Sequence, residues 1–220
     1  MTPWAGVATA LVLLVLGGLI LPMLQVRLRW LVVLVLPLVT LFLVWLVPDG
    51  VSLQASFLGY KLALVKGDAL SRLFATVFAV MAFAGGLFAL NQNRVVELAA
   101  AFCYAGSAIG VVFAGDLLTV FIFWELMAIA STLVVWSAGA SARGAGLRYA
   151  SIHLLGGVLL MAGVAGEIAT TGSTGFDRMT LDSLPRWLIL AGFLVNAGAP
   201  PLSAWLPDAY PESSWSGMVF

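Results

Sequence analysis

Residues 115–127 read GDLLTVFIFWELM. This apolar run begins with an acid, Asp116, and contains a second acid, Glu125, in its interior. The sequence around this run is of the same kind, since 62% of the 220 residues are hydrophobic and only 9% are charged. Soluble domains carry about 25% charged residues, and a soluble protein of this size has too much surface to cover with so little charge. We therefore predict an all-α, multi-pass membrane protein.

The charged residues and the cysteine content exclude several kinds of partner. Ten Lys and Arg residues balance ten Asp and Glu residues, so there is no basic excess to hold nucleic acid. Cys103 is the only cysteine and His153 is the only histidine, which excludes an intrachain disulfide and argues against a zinc or iron–sulfur site. We predict no cofactor, no metal and no nucleic-acid partner.

Apolar runs of roughly 20 residues are long enough to cross a membrane, and they predict about seven transmembrane helices. The expected ranges are 4–24, 30–47, 69–90, 95–114, 117–138, 147–170 and a seventh that starts near 187 and is broken at Pro200-Pro201. Residues 51–66 alternate apolar and polar side chains, which predicts a small β-hairpin between the second and third helices. Residues 139–146 are small and polar, which predicts a loop. We divide this membrane domain into 1–114, with the leading helices, the hairpin and the fourth helix, and 115–220, with the fifth to seventh helices.

Basic residues in short loops indicate the orientation of the helices. The loops after the first, third and fifth helices carry five arginines, with Glu97 as the only acid nearby. The loops after the second, fourth and sixth helices carry as many basic residues together with five acids. This distribution favours the arginine-rich loops on the cytoplasmic side of a cell inner membrane.

Glu125 is the most informative polar residue, because it lies near the middle of the fifth predicted helix. A charged side chain at the centre of a bilayer costs about 2.5–3.5 kcal/mol on insertion scales, so it must face the bundle interior, a partner charge or water. A carboxylate in such a place is a candidate to take up and release protons. The alternative, a structural hydrogen bond between helices, stays open.

Three further polar residues lie near helix ends. His153 is either a proton relay or an interfacial histidine bonded to a carbonyl group or a lipid headgroup. Glu167, 14 residues further on, shares its helix face about 21 Å away, and we expect it to be solvated at the helix end. Asp116 is expected to cap the fifth helix, where an acid suits the free amides and the helix dipole.

Pro200 and Pro201 must interrupt the seventh helix, because proline lacks a backbone donor and clashes with the preceding turn. Broken helices of this kind mark ion paths in transporters, although a plain proline kink is the alternative. Asn196 lies four residues before Pro200 and has an amide to offer to a cavity at the break.

Two of these stretches resemble one protein family. Residues 115–127 resemble the fifth-helix signature of antiporter-like proton-translocating subunits, which occur in Mrp-type cation/proton antiporters, NADH:quinone oxidoreductases and membrane-bound hydrogenases. Residues 196–212, NAGAPPLSAWLPDAYPE, resemble the segment around the broken seventh helix of that family. Their sequence is most similar to that of the D-type subunit of Mrp antiporters. The resemblance implies about 14 helices in two inverted repeats, of which this chain covers the first half. The apolar run that starts at Met218 indicates a chain that stops in mid-architecture.

The resemblance also implies roles for individual residues. In the family, a glutamate of the fifth helix pairs with a lysine of the seventh. Glu125 matches the glutamate, but the lysine position falls on Asn196, which cannot supply a positive charge. Ser203 stands where many relatives carry histidine. The candidate residues of the proton path are therefore Glu125, His153 and Asn196.

The function that follows is a proton-conducting subunit of a multisubunit Na⁺/H⁺ antiporter, a transporter rather than an enzyme, with other membrane subunits as partners and with H⁺ and Na⁺ as its ions. A first alternative is a proton-pumping, non-catalytic subunit of NADH:quinone oxidoreductase or of a membrane-bound hydrogenase. A second alternative is a truncated or split scaffold subunit without transport of its own.

Overall fold

The computed structural model describes residues 3–57, 59–91, 94–176 and 178–219, without the side chains of residues 3–11 and 91. These residues form helices and one antiparallel strand pair. In chain order they are α1 (Pro3–Ile20), α2 (Val26–Val44), β1 (Gly50–Phe57), β2 (Tyr60–Gly67), α3 (Ala69–Phe88), α4 (Val95–Phe113), α5 (Leu117–Ser137), α6 (Arg143–Thr171), α7 (Leu184–Asn196) and α8 (Trp205–Glu212). In this part of the chain α2 to α6 are each long and apolar enough to cross a membrane. The predicted all-α membrane architecture is confirmed.

The bundle is built around α4, which packs against α1, α3 and α5. Small residues allow the close approach of these helices. A Cβ atom on Gly106 would lie 2.9 Å from the backbone nitrogen of Val15 in α1, and one on Gly110 would lie 2.3 Å from the ring of Phe123 in α5. The two glycines, one turn apart, therefore fix the position of α5 relative to α1.

The predicted hairpin is confirmed, with strands that run one residue beyond each expected end. Gly50 pairs with Gly67 and Phe57 pairs with Tyr60. The hairpin also holds the start of α5, because the Gly115 amide donates to the carbonyl oxygen of Ala63 at 2.9 Å.

Asp116 caps α5, as predicted. Its carboxylate accepts hydrogen bonds from the backbone amide of Thr119 at 2.9 Å and from the hydroxyl of the same residue at 2.6 Å. The start of α5 is thereby fixed both by the hairpin and by its own cap.

Three helices begin three or four residues earlier than predicted, and one of them is α7, which starts at Leu184 instead of near 187. The expected loop at 139–146 is wrong at its end, because α6 starts at Arg143. Gly146 lies against the Trp136 ring, where a Cβ atom would come within 2.2 Å, so packing against α5 overrides weak helix propensity. The second helix starts at Val26 instead of 30, since the guanidinium group of Arg29 reaches back and donates to the carbonyl oxygens of Leu21 and Leu24, just before the helix.

The predicted break after α7 is confirmed, and it starts before the prolines. The helix ends at Asn196, and Gly198 adopts a left-handed conformation with φ of +63°. The amides of Gly198 and Ala199 donate to the carbonyl oxygens of Val195 and Leu194, the pattern of a Schellman motif. The chain is helical again only from Trp205.

Outside the membrane, Asp68 caps α3 in a way that makes stability depend on pH. Its carboxylate accepts from the Ser71 amide at 2.7 Å, and the Asp68 amide donates to the Ser71 hydroxyl at 2.8 Å. The bond from the Ser71 amide is the main cause that holds the pKa of Asp68 below its ordinary value of 3.8.

We expect Asp68→Ala to lower the free energy of unfolding by about 1 kcal/mol at neutral pH. Because the lower pKa belongs to the folded state, the stabilisation is present above about pH 4 and is lost as the pH falls through the folded-state pKa. Thermal unfolding of the two proteins in detergent, measured across this pH range, tests the prediction. A difference in Tm between them that stays constant from neutral to acid pH would contradict it.

Candidate functional site

Two adjacent glycines of α6 bring α5 and α7 together. A Cβ atom on Gly157 would lie 2.0 Å from Oε1 of Glu125, and one on Gly156 would lie 2.5 Å from Oδ1 of Asn196. The carboxyl group from α5 and the amide from α7 therefore rest on the backbone of α6. Sequence reasoning missed these glycines, although their pairing one turn after His153 was a signal that could have been used.

His153 stands one turn before these glycines on α6 and is only 6% exposed. The side chain of Asn196 lies against its imidazole ring, without a hydrogen bond of good geometry. Within the described part of the chain, both ring nitrogens of His153, both side-chain polar atoms of Asn196 and Oε1 of Glu125 have no hydrogen-bond partner. Buried polar atoms without partners are rare, and at membrane depth they mark functional positions.

A cavity of about 270 Å³ lies between α5 and α6. Its polar lining consists of Glu125, Thr132 and His153, and the rest is apolar. A water molecule takes up about 30 Å³, so the cavity has room for several. The carboxyl group and the imidazole therefore open on the same space.

An aromatic cluster surrounds the other side of His153. The imidazole centroid lies 4.1 Å from the Tyr149 ring and 4.9 Å from the Trp205 ring. The Tyr149 hydroxyl donates to the Ser131 hydroxyl at 2.8 Å. Because Trp205 is the first residue of α8, the break after α7 is what returns the chain to His153.

The structure thus brings together all three predicted residues of the path: Glu125, His153 and Asn196. It does not place a cation beside the carboxyl group. The two lysines of the chain, Lys61 and Lys66, both lie in β2, and Glu125 forms no ion pair with any residue that the structure describes.

The expectation for Glu167 is wrong. This residue is not solvated but only 6% exposed, and its carboxylate pairs with the Arg186 guanidinium at 2.9 Å. The reason is the close packing of α7 on α6 at Gly163, where a Cβ atom would meet the Pro185 carbonyl oxygen at 2.6 Å. The pair closes the end of the α6–α7 interface that lies away from His153.

Comparisons with known proteins agree with the resemblance seen in the sequence. Residues 114–220 match the family model described as "NADH:quinone oxidoreductase/Mrp antiporter, TM". "NADH-quinone oxidoreductase subunit 13" of Thermus thermophilus is 30% identical over 162 residues, which cover 69% of this chain and 34% of that protein. A probable K(+)/H(+) antiporter subunit of the D type, from Rhizobium meliloti, is 33% identical over 114 residues, which cover 46% of this chain and 21% of that protein.

A solved structure extends the similarity to almost the whole chain. One chain of the membrane-bound sulfane sulfur reductase, an archaeal respiratory membrane complex, superposes with a TM-score of 0.82 at 26% identity. The match covers 96% of this chain and 37% of that one, so the chain spans well under half the length of each of these relatives. The resemblance to antiporter-like proton-translocating subunits is confirmed, and with it a multi-pass integral membrane protein.

The close packing of α6 and α7 predicts an effect on stability. We expect Gly163→Ala to lower the free energy of unfolding by about 1–3 kcal/mol, because the new methyl group would meet the backbone of Pro185 and Ile189 at 2.6 Å. Gly144→Ala is the matched control on the same helix, since its Cβ atom would meet only Arg148, at 3.4 Å. Thermal unfolding in detergent measures both variants, and equal Tm values would show that the helices are not packed this closely.

Proposed function

We propose that this chain carries protons across its membrane as one subunit of a multisubunit complex, with Glu125 as the group that takes up and releases the proton. The observation that carries the proposal is the place of this carboxyl group. It lies in the middle of an apolar helix, rests on Gly157 and opens on a cavity that it shares with His153. A purely structural carboxyl group at this depth would be expected to have its hydrogen bonds filled by neighbouring helices.

His153 is the proposed donor to Glu125. An imidazole can accept a proton and pass it on, and in this site it lines the same cavity as the carboxyl group. When protonated, His153 supplies the positive charge that the resemblance places on a lysine at position 196. The proton then passes through water in the cavity to Glu125, and the neutral imidazole is ready for the next proton.

Asn196 takes a positioning role in this scheme. An amide carries no charge to the carboxyl group, but it lies against the imidazole and has both a donor and an acceptor free for it. Asn196 thus holds His153 in the cavity in either protonation state.

The complex that we propose is a cation/proton antiporter of a cell inner membrane with Na⁺ as the coupled ion, other membrane subunits as partners and the arginine-rich loops in the cytoplasm. The similarity to a probable K(+)/H(+) antiporter protein supports this assignment. A redox-driven proton pump is the second candidate, because the relative with the longer coverage is a quinone oxidoreductase subunit and the solved structure is respiratory. Copurified proteins and the ion dependence of flux distinguish the two. Small membrane subunits and Na⁺-dependent flux support the antiporter, whereas flavin and iron–sulfur subunits support the pump.

Glu125→Gln tests the proton site. The variant keeps the shape and polarity of the side chain but cannot exchange a proton, so we expect proton flux to fall by about 100-fold or more. The measurement is the response of a pH-sensitive dye in vesicles that contain the complete complex. Glu212→Gln, a change at an exposed acid of α8, is the control and is expected to leave the flux unchanged. Normal flux in Glu125→Gln would refute the assignment, and a wild-type complex without flux would favour the scaffold alternative.

His153→Phe tests the relay separately from the packing. Phenylalanine keeps the ring against Tyr149 and Trp205 but carries no proton, so we expect the flux to fall by about tenfold or more with little change in Tm. The same dye assay and a thermal unfolding curve measure the two effects. Unchanged flux would remove His153 from the path and leave it a packing role.

A further inference from the structure

Glu97 is a buried acid that the mechanism above does not use. It lies in the first turn of α4, is only 1% exposed and is surrounded by hydroxyl groups. Its Oε1 atom accepts from Ser214 at 2.7 Å and from Ser216, and its Oε2 atom lies 3.1 Å from the hydroxyl of Ser137, the last residue of α5. The charged group that faces it is Arg94, 3.8 Å away and exposed.

This hydroxyl shell suits either protonation state of the acid. The Ser137 oxygen lies 3.1 Å from Glu97 and 2.6 Å from the carbonyl oxygen of Val134, yet a hydroxyl group has one proton to donate. When Glu97 is ionised, Ser137 donates to it. When Glu97 is protonated, it donates to Ser137, and Ser137 donates to Val134. The contact between Glu97 and Ser137 is therefore kept in both protonation states of the acid.

A second cavity, of about 100 Å³, lies between the segment that holds this acid and the aromatic cluster beside His153. Its lining includes Tyr104, which lies two turns after Glu97 on the same face of α4, about 10.5 Å along the axis. Ser213 and Gly217 also line it, and they flank the two serines that donate to Glu97. The 213–217 segment therefore contacts both the acid and the cavity.

On its inner side the second cavity ends at the aromatic cluster. Ser131 and Tyr149 line it, and the Tyr149 ring stacks on His153 at 4.1 Å. The imidazole in turn lines the larger cavity with Glu125. The polar groups thus follow one another from the arginine-rich end of the bundle to the middle of α5.

We propose that Glu97 is the proton-loading group at this end of the bundle, and that its proton reaches His153 through the cavity lined by Tyr104, Ser131 and Tyr149. The inference rests on the proposed function and deepens it, because it names the group that supplies the relay. In each cycle a proton from the aqueous side binds the Glu97 carboxylate, moves along hydroxyl groups and cavity water to the imidazole, and leaves Glu97 ionised again. No bond other than those of the proton is made or broken.

The competing explanation is that Glu97 only clamps residues 213–217 onto α4 and α5. Glu97→Gln separates the two roles, because its amide oxygen still accepts from Ser214 and Ser216 and its NH₂ group still donates to Ser137. We expect this variant to keep the wild-type Tm and to lose about tenfold or more of the proton flux in vesicles with the complete complex. Glu97→Asp, which restores a carboxyl group, is expected to recover flux with a shifted pH profile. Glu212→Gln serves again as the control.

The outcomes separate the inference from the proposed function. If Glu125→Gln abolishes flux while Glu97→Gln has wild-type flux at every pH, the loading role is overturned and the proposed function stands. If the Gln and Asp variants of Glu97 lose flux and Tm together, Glu97 is a clamp and the loading role is equally overturned. A wild-type complex without proton flux overturns both.

Discussion

A carboxyl group in the middle of α5 constrains everything packed around it, because hydrocarbon offers it no hydrogen-bond partner. The chain meets this constraint with two glycines of α6, which have no side chains. At Gly156 and Gly157 the helix surface is bare backbone, so Glu125 from one side and Asn196 from the other lie where a larger residue would stand. The polar groups of the site are therefore collected on one helix face, which also carries His153 and Tyr149.

The architecture followed from the sequence because the length and hydropathy of a run are enough to identify a membrane helix. The helices, the hairpin at 51–66, the cap at Asp116 and a break at Pro200-Pro201 were all predictable from local patterns. The expected environment of a polar side chain was wrong where its hydrogen-bond partners are distant in sequence. Arg29 and Glu167 read as surface residues, yet one is satisfied by carbonyl oxygens and the other by Arg186.

The candidate site was predictable as a set of residues but not as an arrangement. Acid, histidine and helix break stand out in an apolar sequence, and the structure brings Glu125, His153 and Asn196 together. The glycine contacts depend on how three helices approach one another, which no single helix reveals. Glu97 was missed for the same reason, since an acid in the first turn of a helix reads as solvated, and its serine partners lie at the end of α5 and more than 100 residues away.

The attachment of α8 to α6 determines where the chain returns after the break that follows α7. Arg148 and Asp208 form a pair of hydrogen bonds, both 2.7 Å long, beside the contact between Tyr149 and Trp205. Two positions of α6, Arg148 and Tyr149, are thus joined to α8. Between α7 and α8 the chain is held by turn bonds, from the amides of Gly198, Ala199 and Leu202, instead of a continuous helix. The course of residues 197–204 therefore sets where α8 meets α6, and the edge-on contact of Trp205 with the imidazole depends on it.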